Sequence, residues 1–189
     1  MTILFWIIPA LWLVFLAYWA ISAIGAKRNV QTTAWSKQRA LWLSIAMLVA
    51  IAWLVPAVHR AFRLAQAHES GGVLVGMGTV LVGLGLGLAV LARINLGRNW
   101  GSPMSRKENP ELVTSGPYAV IRHPIYSGLI LAMLGSAIGH SVVWAPVLVL
   151  FGVYFIYAAR REEEFMCLQF GETYRAYMRR TKMFVPFVV

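Results

Sequence analysis

Residues 72–92 read GVLVGMGTVLVGLGLGLAVLA, a run without a charged side chain or a proline. Crossing about 30 Å of hydrocarbon takes roughly 20 apolar residues at about 1.5 Å of rise each, so this run can span a bilayer as one helix. Its pairs Gly72/Gly76 and Gly83/Gly87 have the small-xxx-small spacing that lets helix backbones approach closely. The glycines do not form a dinucleotide-binding turn, because no strand precedes them and no acidic residue follows about 20 positions on.

Working outward, the same criterion selects Ile3–Ala26, Ala40–Val58 and Val142–Ala159. A shorter run, Tyr126–Ile138, reaches spanning length if its helix starts near Pro124, since proline is favoured in a first turn. The Gly139-His140-Ser141 link behind it is short enough to force a helical hairpin. Ile3–Ala26 is too long for a signal-peptide core and has no basic stretch before it, so it is expected to be retained. The 189 residues are 59% hydrophobic and 13% charged, where a soluble domain carries about a quarter charged residues. The expected fold is therefore an all-α integral membrane protein with about five transmembrane helices, a C-terminal hairpin and an amphipathic cytoplasmic tail. It reads as one membrane domain, with residues 1–94 as scaffold and 95–189 carrying the chemistry.

The basic residues lie at the ends of the apolar runs, which is what topology demands and argues against nucleic-acid binding. The loops at 27–39 and 93–123 and the tail beyond Ala159 hold fifteen of the 17 Lys and Arg, while the loop at 59–71 holds only Arg60 and Arg63. The positive-inside rule then sets the N-terminus outside and the tail in the cytoplasm, as in a multi-pass protein of a bacterial inner membrane. A lone cysteine, Cys167, excludes an internal disulfide and a Cys-rich metal site. His59, His68 and His140 are expected near the outer face, and no paired histidine or cysteine spacing suggests a metal.

Polar sequence is concentrated on both sides of the hairpin. Before it stand Leu112-Val113-Thr114-Ser115-Gly116-Pro117-Tyr118 and Arg122-His123-Pro124-Ile125-Tyr126-Ser127-Gly128. After it come Arg161-Glu162-Glu163-Glu164 and Phe170-Gly171-Glu172-Thr173-Tyr174, then Tyr177 and Pro186. On residue chemistry alone, Arg122-His123 could be a charged helix start, the Glu triplet a solvated ion-pair run, and Tyr174 and Tyr177 interfacial anchors.

Taken in order and spacing, these pieces resemble the isoprenylcysteine carboxyl methyltransferase family, with phospholipid N-methyltransferases similar over the same stretch. The resemblance covers about residues 95–188 and implies S-adenosylmethionine as methyl donor, with a lipid-like or lipidated acceptor drawn from the membrane. It implies a cofactor site made by Tyr118, Arg122, His123, Pro124, Tyr126, Gly128, Glu162, Glu163, Tyr174 and Tyr177. Arg122 or His123 could meet the cofactor's carboxylate, Glu162 or Glu163 its ribose diol, and Tyr126 or Tyr177 its sulfonium. Glu163 is a candidate catalytic base, and Arg180 (or Arg179) could hold an anionic acceptor. Two other classes compete. A membrane sterol or enone reductase shares a His-Pro-x-Tyr element but uses NADPH, and a scaffold or transporter would place polar groups within the spans.

Overall fold

The computed structural model describes residues 4–22, 71–100 and 111–185. The expected span Ala40–Val58, the loops at 27–39 and 59–71 with His59 and His68, and Arg106, Lys107 and Pro186 lie outside these residues. The described chain is helical: α1 (Leu4–Ser22), α2 (Gly72–Leu96), α3 (Pro124–Gly139), α4 (Trp144–Phe170) and α5 (Glu172–Arg180). A 3-10 turn at Gly97–Asn99 extends α2, and another covers Gly116–Ala119. Among the described residues, the β pairing is one isolated parallel bridge between Ile121 and Lys182.

The opening run thus continues past Ala92, and Gly72–Asn99 is long and apolar enough to cross a membrane. Its outer face keeps Val73, Met77, Val80, Leu84 and Leu91 at least 54% exposed, a continuous apolar surface suited to lipid rather than water. The helix ends where Gly97 adopts a positive φ of 54°, which glycine takes without a Cβ clash.

Helices α2 and α3 pack backbone to backbone, but not through the expected glycines. A Cβ on Gly78 would strike Gly135 and Gly139, and one on Gly85 would strike the backbone of Gly128 and Ala132. Gly72, Gly76, Gly83 and Gly87 have no atom within 4 Å of that position. The operative spacing is seven residues, two full turns on the same face, repeated in Gly128 and Gly135 of the partner helix. Beside this pair, Ile8 and Phe15 of α1 bury against Val82, Leu86 and Ala89 of α2 and Ala132 of α3.

The hairpin forms as expected. Pro124 occupies the first turn of α3 after His123, and residues 140–143 turn the chain into α4. Helix α4 runs on through Arg160–Glu164 without a break, which carries Glu162 and Glu163 back to the level of His123. Gly171, at φ 55°, ends α4 and lets α5 fold across. Residues 182–184 then lie along the start of α3. Arg122 N donates to Lys182 O at 2.8 Å, His123 N to Met183 O at 3.1 Å and Ser127 Oγ to Phe184 O at 2.6 Å.

Candidate active site

Three elements converge at the entrance to α3. Arg122 Nε donates to Glu163 Oε1 at 2.6 Å, and its Nη1 reaches the carbonyls of Met178 and Thr181. His123 lies between the two carboxylates, with Nε2 3.2 Å from Glu163 and Nδ1 3.5 Å from Glu162. Tyr126 OH donates to the remaining Glu162 oxygen at 2.6 Å. The rings of His123, Tyr126 and Phe155 stack in series, nearly parallel, with centroids 5.6 and 4.7 Å apart.

His123 and Glu163 are shifted in opposite directions. Burial pushes the His123 imidazole down, but its hydrogen bonds to Glu162 and Glu163 outweigh that, and its pKa lies above the ordinary histidine value. Burial raises Glu163, yet hydrogen bonds from His123 and Arg122 bring it below the usual carboxylate range. The raised imidazole and the lowered carboxyl favour an ion pair between His123 and Glu163 in a partly dry site. Burial also raises Tyr118, Tyr174 and Tyr177, the last to about 12, so all three stay protonated at neutral pH. Tyr177 OH donates to the Tyr118 carbonyl at 2.6 Å, which ties α5 to the turn before α3.

Above the cluster opens a cavity of about 750 Å³. Its polar end is lined by Tyr118, Arg122, His123, Glu162, Tyr174 and Tyr177, with Gln169 beside them. Its apolar end runs between α1, α3 and α4 past Leu129, Phe151 and Met133.

The geometry sorts the expected site residues. Tyr118, Arg122, His123, Tyr126, Glu162, Tyr174 and Tyr177 face the cavity together. Glu163 does not: its side chain, 9% exposed against 27% for Glu162, is turned behind its neighbour toward Arg122. Of this pair, Glu162 is the carboxylate turned toward the cavity. Gly128 is set against Gly85 and Ala89 of α2, because the face freed of a Cβ is filled by that helix, so it packs helices rather than admitting a ligand. Pro124 is fully buried as the first residue of α3 and shapes its start. Arg180 is exposed at the end of α5, outside the cavity.

Sequence reasoning passed over the aromatic wall of α1. Trp12, Phe15, Leu16 and Trp19 line the cavity, so residues 1–94 contribute to the site as well as supporting it. Their positions, i, i+3, i+4 and i+7, fall on a single helix face. Trp100 lines it too, held under the Arg93 guanidinium 4.6 Å away and edge-on to Trp19 at 5.5 Å. Among the described residues no group of three or more His, Cys, Asp or Glu is placed to hold a metal ion.

A family model described as phospholipid methyltransferase matches residues 73–173. The chain is similar to the cobalt-zinc-cadmium resistance protein CzcN of Cupriavidus metallidurans, 37% identical over 106 residues, covering 54% of this chain and 49% of that one. It is also similar to protein-S-isoprenylcysteine O-methyltransferase B of Arabidopsis thaliana, 31% identical over 115 residues, or 59% and 58% of the two chains. The chain thus spans about half the length of these curated relatives. Among solved structures it resembles the eukaryotic intramembrane Ras methyltransferase ICMT, with a TM-score of 0.59 at 23% identity over 77% of this chain and 53% of that one. The likeness is one of fold.

Proposed function

The chain belongs to the phospholipid methyltransferase family, and from that membership we propose that it transfers a methyl group from S-adenosylmethionine to a lipid-like acceptor, of isoprenylcysteine carboxylate type or a related amphiphile. The observation that carries this reading is a single cavity with a hydrogen-bonding, aromatic end and a long apolar arm.

The donor set fits the cofactor. Its ribose hydroxyls and ammonium are donors, and Glu162 is an acceptor already held in place by Tyr126 and His123. Its adenine and sulfonium suit the rings of Tyr118, Tyr126, Tyr174 and Tyr177, where cation–π attraction contributes about 0.5–2 kcal/mol. When bound, the cofactor supplies an electrophilic methyl group. The chain has to align that methyl with the acceptor and keep water away, so positioning is the largest expected contribution. Tyr126 and Phe155 stand at the junction of the polar end and the apolar arm, where an acceptor headgroup would meet the cofactor. A carboxylate acceptor needs no proton removed. An amine or thiol would, and Glu162, beside His123 and Tyr126 in the cavity lining, is the carboxylate assigned to take it.

The charge asymmetry supports an N-terminus outside and this site in the cytoplasm, where the cofactor is available. Sealed vesicles test both the reaction and the orientation. With methyl-labelled S-adenosylmethionine and an S-farnesylcysteine acceptor, inverted vesicles should give labelled product, and right-side-out vesicles should do so only after permeabilisation. Absence of product from both preparations rejects methyl transfer to this acceptor class. Product from intact right-side-out vesicles rejects the orientation alone.

A further inference from the structure

The apolar arm of the cavity has a floor. Descending α3 from Tyr126 leads past Leu129 and Met133 to Ser136, ten residues or about 15 Å lower. Descending α4 from Phe155 leads past Phe151 and Val147 to Trp144, eleven residues or about 16 Å lower. At that depth the indole of Trp12, from α1, stacks on Trp144 with centroids 5.3 Å apart and planes 14° from parallel. Trp12 Nε1 donates to Ser136 Oγ at 3.0 Å, and Ser136 Oγ in turn donates to Ala132 O at 2.8 Å. One stack therefore bridges α1, α3 and α4. Both tryptophans line the cavity. One turn below Trp12, Ile8 is 1% exposed and reaches Gly139, so the space behind the stack is filled.

We propose that the Trp12–Trp144 stack, fixed by Ser136, is a stop that sets the longest hydrocarbon tail the acceptor can carry. Its occupant rests on the methyltransferase reading above; its geometry does not. The arm from the Tyr126–Phe155 stack to the floor is about 15 Å, roughly half the 30 Å hydrocarbon thickness of a bilayer. It takes a tail about as long as one leaflet is deep. A longer tail has to fold back or push apart a pair of stacked indoles tied to a buried serine. Forcing extra methylenes into a packed site costs about 1–3 kcal/mol, a factor of roughly ten or more in affinity.

The test is a binding series that needs no turnover. Alkylthioacetates with octyl, dodecyl, hexadecyl and docosyl tails are titrated into the full-length protein in nanodiscs. Affinity should hold or improve with length up to a break, then fall by about tenfold for the tail that overruns the floor. Trp144→Ala should move the break to longer tails. Trp12→Leu, which removes the same stack from the other helix, should move it likewise, and the octyl probe, too short to reach the floor, reports that the site in each variant is intact. A wild-type series with no break, a break unmoved in both variants, or no binding at any length overturns the stop. A break that shifts as expected in a protein that methylates none of these compounds retains the stop and overturns the proposed reaction.

Discussion

Glu163 is the residue on which the entrance to α3 depends. It receives Arg122 at 2.6 Å and His123 at 3.2 Å, and Arg122 is in turn fastened to the carbonyls that end α5. Glu163→Gln leaves a buried guanidinium without its carboxylate, which should cost about 3 kcal/mol and lower the melting temperature. The pH dependence carries the same signature. His123 is raised in the folded state, so its contribution is complete below the ordinary value of 6.5 and is lost as pH climbs through the folded one. Glu163 is lowered, so its contribution is present above 4.5 and is lost as pH falls through its folded value. Melting temperature followed against pH should therefore be highest between those limits in the wild type. In Glu163→Gln the loss on the acid side should shrink, and an unchanged acid limb would remove Glu163 from this role. The sequence motif singled out the Glu pair but not which member faces the cavity. Adjacent helix positions differ by about 100° around the axis, and only the packing of α4 on α3 turns Glu162 inward.

At the scale of elements, the hairpin was legible because proline, a short link and two apolar runs each specify a local feature. The α2–α3 contact was not. Glycines seven apart occur on α2 both as Gly76/Gly83 and as Gly78/Gly85, and the choice between them is made by Gly128 and Gly135 on another helix. That choice gives a paired prediction. Gly85→Ala drives a methyl into the backbone of α3 and should destabilise the protein by about 1–3 kcal/mol. Gly76→Ala meets open space and should be neutral or slightly stabilising, since glycine costs up to about 1 kcal/mol within a helix. Thermal melts of the two variants side by side check this, and equal melting temperatures would contradict the packing. The α1 wall escaped notice for a related reason: a stripe of Trp and Phe on an apolar helix looks the same whether it faces lipid, core or a cavity.

Across the whole molecule, the chemistry is divided along one axis. Charged and hydroxyl groups from α3, α4 and α5 gather at one end of the cavity, and indoles and aliphatic side chains from α1, α3 and α4 enclose the other. The proposed reaction accounts for both kinds of lining in one cavity, since a water-soluble donor and a membrane-borne acceptor would have to meet in it. On the proposed reaction, Glu162 receives the donor. Calorimetric titration of S-adenosylmethionine into the wild type, Glu162→Gln and the exposed neighbour Glu164→Gln tests it most directly. A hydrogen bond to a charged group contributes about 1.5–3 kcal/mol, so Glu162→Gln should bind roughly ten- to a hundredfold more weakly. Glu164, paired only with Arg161 at the surface, should be dispensable. Wild-type affinity in Glu162→Gln, or no binding by the wild type, would contradict the account.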